Sequence, residues 1–366
     1  MIRLCEPSFD DADRARVASV LDSGMLVQGR LVADFESVLS ARFGAPVVAV
    51  SNGTAALRLA MQALEIGPGD EVLVPGLTWP SAASVALLLG ASVRVVDVDA
   101  DTLCSTAEHF ADAIGPKTRA IVAIHQFGIP AEIAEIRVLA DAHDLRLIED
   151  AACAIGTVCG DREAGLWGDL ATFSFHPRKV VTTAEGGAIV CRDEMLVDRL
   201  RCLRNHGQSS QPSLLRFTEP GGNHRMSELN AAIGLGPLSR LDETLRRRRM
   251  LAAQLIESID SLSGVSVPAG VRNPGYNVQS FVVRLDAGRD REAVLAGLRK
   301  RGVECTIGTY SIAQQPAFGA ALPSLTPVSW QAMHDLITLP LHEAMSTADV
   351  SSVASALADI LQEPQS

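Results

Sequence analysis

Short apolar runs recur through the first half of the chain, most of them followed by a stretch in which apolar residues return every three or four positions. VVAVS (47–51) precedes TAALRLAMQAL, EVLVP (71–75) precedes SAASVALLLG, and VRVVDVD (93–99) precedes a short helical stretch around Phe110. RAIVAI (119–124) precedes AEIAEIRVLADAH, and LRLIED (145–150) and LATFSF (170–175) follow. Nearly unbroken apolar strands between amphipathic helices predict an open, mostly parallel α/β sheet covered on both faces. A long helical region opens near Ser227 and runs through RLDETLRRRRMLAAQLIESI. Beyond it GVSVP, NVQSFVVRL, the helical DREAVLAGLRKRG and a last helix from about Thr347 predict a smaller C-terminal α+β domain. The expected division is a large domain over residues 1–250, with an N-terminal arm, and a small one over 251–366.

Composition narrows the function. With 366 residues and 47% hydrophobic content the chain is expected to fold around a large core. A net charge of -11 argues against a nucleic-acid binder, which needs a basic surface to displace counterions. The one basic run, RRRRM at 246–250, reads as the solvated face of a polar helix. The N-terminal MIRLCEPSFDD lacks an apolar signal core and no run is long enough to span a bilayer, so a cytoplasmic protein is expected. Seven scattered cysteines without a CxxC pair suggest reduced thiols, with neither a disulfide framework nor a metal site.

In open α/β sheets ligands bind beyond the carboxyl ends of the strands. After VVAVS come Asn52, Gly53 and Thr54, leading straight into a helix whose first amides suit a phosphate. After EVLVP comes Trp79, a ring-stacking surface or a space filler. LRLIED ends on Asp150, an acid on an apolar strand, where carboxylates are rare unless paired. LATFSF carries Ser174 and leads to Lys179, flanked by Arg178 and by Gly186 and Gly187. Each has an ordinary explanation alone: a cap, a core aromatic, a turn former, a surface charge. Together they are the groups that pyridoxal 5'-phosphate (PLP) requires. Its aldehyde needs an amine, its pyridinium an acid, its ring a flat cover, and its phosphate amides and hydroxyls.

The chain resembles the DegT/DnrJ/EryC1/StrS aminotransferases, sugar aminotransferases of fold type I. The matching blocks are SGMLVQGRLVADFES, SNGTAALRLAMQALEIGPGDEVLVPGLTW, IEDAACAIG, FSFHPRKVVTTAEGG, LRNHG, GGNHRMSELNAAIG and LDE. The resemblance implies a fold type I PLP-dependent transferase, with Lys179 as the Schiff-base lysine and the general acid and base. It implies that Asp150 pairs with the pyridine nitrogen, that Trp79 stacks on the ring, and that Gly53, Thr54 and Ser174 hold the phosphate. Asn223 would reach the phosphate of a neighbouring subunit, making the active site a property of a homodimer. Arg225 would help shape the donor and acceptor pocket, with a salt bridge at a helix start as the alternative. One position departs from the family: Cys153 stands where Gln or His usually meets the phenolic oxygen of the cofactor, and a thiol is a weaker partner.

The implied reaction transfers an amino group from L-glutamate or L-glutamine to a ketone. The dehydratase branch of the family has histidine in place of the lysine, so Lys179 points to transamination. PGLTW and DVDADTLC resemble the branch that aminates keto-inositols, whereas SFHPRK resembles branches acting on nucleotide-linked keto sugars. A keto sugar or keto-cyclitol, in an antibiotic or surface-sugar pathway, is the expected acceptor. The alternatives are a non-sugar substrate, another PLP chemistry on the same fold, and a PLP-binding regulatory protein without turnover.

Overall fold

The computed structural model describes residues 1–209, 216–318 and 325–363. Helices α1 (Asp11–Ser23) and α2 (Arg30–Phe43) lead into strand β1 (Val47–Val50). Helices and strands then alternate: α3 (Gly53–Ala63), β2 (Glu71–Pro75), α4 (Ser81–Leu88), β3 (Ser92–Val96), α5 (Ala107–Ala111), β4 (Thr118–Ile124), α6 (Ile133–Ala142) and β5 (Arg146–Asp150). A small antiparallel pair, β6 (Val158–Cys159) and β7 (Arg162–Glu163), precedes β8 (Leu170–Ser174), β9 (Gly187–Val190) and α7 (Glu194–Arg204).

Seven strands form one sheet in the order β1-β9-β8-β5-β4-β2-β3. β3, β2, β4, β5 and β8 pair in parallel, while β9 runs against both of its neighbours, β8 and β1. β1 therefore points the same way as the parallel set, and the carboxyl ends of six strands open onto one edge. The expected mostly parallel sheet is present, with β9 as an addition to the strands read from the sequence. Both faces are covered, as the apolar runs required. Along β4, Ile121 and Ala123 pack with Phe35, Leu39 and Phe173, whereas Ala120, Val122 and Ile124 pack with Leu59, Met61 and Val74 on the other side. Burying each large apolar side chain contributes about 1.5–3 kcal/mol.

The run 93–99 stops being a strand at Val96 because its acids serve elsewhere. Asp97 accepts from the amides of Val328 and Ser329 and from the Ser329 hydroxyl, and Asp99 closes a turn on the amides of Asp101 and Thr102.

Next come α8 (Glu228–Ser239), α9 (Leu241–Asp260), β10 (Val265–Ser266), β11 (Phe281–Leu285), α10 (Arg291–Lys300), β12 (Thr306–Ile307), α11 (Pro327–Asp335), β13 (Leu336–Leu339) and α12 (Thr347–Gln362). The four strands form an antiparallel sheet, β10-β11-β13-β12, whose core includes Leu255, Phe281, Val283, Leu298 and Leu357. The helical region that opens at the Ser227 cap is broken in two at Arg240, three residues after Pro237, which has no amide hydrogen to donate.

The arginine run corrects the expectation of a solvated face. Arg246 is exposed, but Arg248 is buried and donates to the carbonyls of Val278 and Gln279 and to Glu343. Arg249 donates to the carbonyls of Tyr276 and Gly156, and Arg247 to that of Met345. Four consecutive helical residues span the whole circumference, so some had to face inward, and there the guanidinium groups satisfy carbonyls of an irregular strap at 276–279. Among the described residues no helix is long and apolar enough to cross a membrane, and no His, Cys, Asp and Glu cluster could hold a metal. All seven cysteines are free.

Candidate active site

At the common strand edge the ends of β1, β8 and β9 crowd together. A Cβ placed on Gly53 would lie 2.8 Å from Cβ of Ser174, and one on Gly187 would lie 2.5 Å from the Asn52 carbonyl. The glycines permit this approach, which sets the Ser174 hydroxyl beside the start of α3. Asn52 caps that helix through Ala55, and the Thr54 hydroxyl lies 3.2 Å from that of Ser81 at the start of α4. The first amides of a helix have no acceptor within it, so this corner combines hydroxyls with free donors and the positive end of a dipole.

Asp150 ends β5, nine-tenths buried, and accepts one hydrogen bond, at 3.0 Å from the amide of Ala152. Burial pushes its carboxyl above the ordinary range; the Ala152 amide, the charge of Lys179 and His125 oppose that only in part. The other carboxylate oxygen has no partner among the described residues, so a cation placed there would be strongly favoured. Lys179 follows β8 in a tight turn, its amide bonded to the His176 carbonyl at 2.8 Å. Its Nζ donates to Cys153 Sγ at 2.9 Å. The thiol that departs from the family pattern therefore touches the lysine itself.

Residues not singled out in the sequence hold this arrangement. Gln279, buried, brackets Lys179: its Oε1 accepts from the Val180 amide at 2.9 Å and its Nε2 donates to the Arg178 carbonyl at 2.6 Å. Asn277 donates to the carbonyls of Cys153 and Ile155, at 2.8 and 2.9 Å. The strap fixed by Arg248 and Arg249 thus clamps both the lysine turn and the segment that carries Cys153. Glu149, beside Asp150, accepts from the amides of Gly165, Trp167 and Gly168 and from His125 Nε2, with both side chains fully buried. Burial works against its charge, but His125 and the amides hold it below the usual carboxylate range. The Ala131 amide lies 3.1 Å from His125 Nδ1, and the His125 amide holds the Asp150 carbonyl. The only sequence signal was a second acid on an apolar strand; Gln279 and Asn277 gave none beyond polarity ahead of an apolar run.

Trp79 is 63% exposed beside this edge and meets Tyr310 edge-on at 5.8 Å. Asn223 is exposed on a segment that pairs with Asn205, and Arg225 pairs with Val50 at the end of β1. The side chain of Arg225 donates to Asn205 Oδ1, in place of the salt bridge named as its alternative. Lys179, Asp150, Cys153, Gly53, Thr54 and Ser174 thus gather where the strands end, whereas Asn223 and Arg225 lie on the surface strip beside β1.

The model of the DegT/DnrJ/EryC1/StrS aminotransferase family matches residues 7–358. The chain belongs to this family. The enzyme is a PLP-dependent aminotransferase. It is 32% identical to the aminotransferase TlmJ from Streptoalloteichus hindustanus, with 99% of each chain covered and a TM-score of 0.92. It is 28% identical to 3-amino-5-hydroxybenzoic acid synthase, with 98% of each chain covered and a TM-score of 0.91. Spr1654 from Streptococcus pneumoniae, solved in a PLP form, shares the fold at 24% identity and a TM-score of 0.93, over 99% of this chain and 98% of that one. The aminotransferase has a donor set suited to its cofactor: a primary amine, a buried acid with one idle oxygen, and a corner of hydroxyls and helix amides closed by glycines.

Proposed function

We propose that this aminotransferase moves the amino group of L-glutamate or L-glutamine to a keto sugar or keto-cyclitol, as a cytoplasmic homodimer, in an antibiotic or surface-sugar pathway. The observation that carries the reading is Lys179 Nζ, bonded to a thiol alone among the described residues, on the same sheet edge as the half-partnered acid Asp150. PLP, when bound, supplies the electron sink for charge at the reacting carbon. Lys179 would hold it covalently and Asp150 would hold its ring nitrogen, with Trp79 over the ring. Gly53, Thr54 and Ser174 would hold the phosphate, and Arg225 would border the substrate pocket. Lys179 Nζ removes the proton from Cα of the donor and, in the second half-reaction, delivers one to the former carbonyl carbon of the acceptor. Cys153 keeps the amine turned toward the site between these transfers.

Asn223 of each subunit would complete the phosphate site of the other. An exposed apolar run, Met25, Leu26 and Val27, supports this, because the Leu26 carbonyl accepts from the Glu228 amide and so lies close to the Asn223–Arg225 segment. Absorption spectroscopy tests the reading. The purified enzyme with PLP is expected to show a visible band that L-glutamate or L-glutamine bleaches. A protein that stays colourless with PLP, or a band that neither donor alters, would refute it.

A further inference from the structure

Among the described residues Cys153 and Lys179 are the one thiol and amine in contact, at 2.9 Å from Sγ to Nζ. Both backbones are held by the same strap. Asn277 donates to the Cys153 carbonyl, and Gly128 packs so closely there that a Cβ on it would lie 2.5 Å from the same oxygen. Gln279 bonds on either side of Lys179, to the Arg178 carbonyl and the Val180 amide. The contact thus joins two anchored segments. Both side chains are half-buried, and Lys179 lines a cavity of about 510 Å³, far larger than a peroxide molecule.

The other thiols are placed differently. Cys104, Cys191 and Cys305 donate to main-chain carbonyls, and burial pushes them up to about 12, 11 and 11. Cys159 meets His125, and Cys202 meets Thr218. Cys5 borders the cavity, and burial raises its pKa too. The thiolate is the form that a peroxide oxidises, and among the described residues Cys153 alone has an amine in place to take its proton.

We propose that Cys153 and Lys179 form a modification site for a peroxide, closed as a sulfenamide that stops the enzyme until a thiol reopens it. Hydrogen peroxide transfers one oxygen to Sγ: the thiol becomes a sulfenic acid, sulfur loses two electrons, and the second oxygen leaves as water. Nζ then attacks Sγ. The S–N bond forms as the S–O bond breaks, and the hydroxide departs as water with one proton from the amine. Two external thiols reverse the link, one displacing Nζ from sulfur and the second releasing Cys153 from the mixed disulfide. The amine must be free, and it is engaged while it holds PLP. For its timing the inference rests on the transamination reading: an amino donor that draws the cofactor off the lysine exposes the pair.

The holoenzyme is treated with hydrogen peroxide, with and without L-glutamate or L-glutamine, beside the full chain stripped of PLP. Intact mass, peptide maps and the visible band are recorded. With donor, and in the stripped chain, the protein is expected to become lighter by two hydrogens, with the peptides of Cys153 and Lys179 joined. Amino transfer should fall by at least about tenfold and return with dithiothreitol. The holoenzyme without donor should stay unlinked. Cys153→Ser should gain no link and lose no amino transfer to peroxide relative to its own untreated sample, while Cys5→Ser should link as wild type does. Oxygen retained on Cys153 with no link in the stripped chain would overturn the proposal, as would a disulfide between Cys153 and Cys5. A link in the stripped chain, together with a band that neither donor bleaches, would reject the transamination reading while upholding the modification site.

Discussion

Lys179→Ala is expected to lower amino transfer by roughly 10³-fold or more, because it removes the covalent anchor and the proton carrier together. The purified variant should lack the visible band of the lysine-bound cofactor while keeping a wild-type thermal melt. The fold should survive because the lysine side chain is only half-buried and its one side-chain bond among the described residues is to Cys153 Sγ. The core under the turn belongs to Phe173, Phe175 and Val181, and the clamp to Gln279. A variant that keeps both band and turnover would remove Lys179 from the chemistry.

Asn223 gives the second large effect, and it depends on two subunits. If its amide completes the neighbour's phosphate site, Asn223→Ala should weaken cofactor binding by roughly 10–100-fold, the loss of one hydrogen bond to a charged group. At limiting cofactor, dimers of Lys179→Ala alone and of Asn223→Ala alone should both be nearly inactive. Mixing the two by subunit exchange should restore about a quarter of wild-type activity. Half of the randomly mixed dimers then pair unlike chains, and each of those has one intact site. No recovery after verified exchange would place Asn223 in its own subunit's site or outside it.

What could be read from the sequence follows from how local each signal is. The strands at 47–51, 71–75, 119–124, 145–150 and 170–175 were legible because burial on both faces makes every position apolar. β9 was hidden: it is four residues long, starts on a glycine, and pairs antiparallel between β1 and β8. Lys179 and Asp150 could be found because each directly follows or ends an apolar strand. Gln279 could not, since its value lies in bracketing a turn a hundred residues away. The same limit produced the error over the arginine run: charge density suggests solvent, and only the strap at 276–279 shows which carbonyls those guanidinium groups satisfy. Cys153 was seen as a departure from the family pattern, but its contact with Lys179 needed coordinates.

The acceptor decides the account. The holoenzyme should be incubated with nitrogen-15-labelled L-glutamate or L-glutamine and a panel of keto sugars and keto-inositols, and the products read by mass spectrometry. The expected result is a labelled amine on at least one acceptor, formed mole for mole with the keto acid of the donor. Loss of carbon dioxide from the donor, or consumption of donor with the label on none of the ketones, would contradict amino transfer to a sugar or cyclitol.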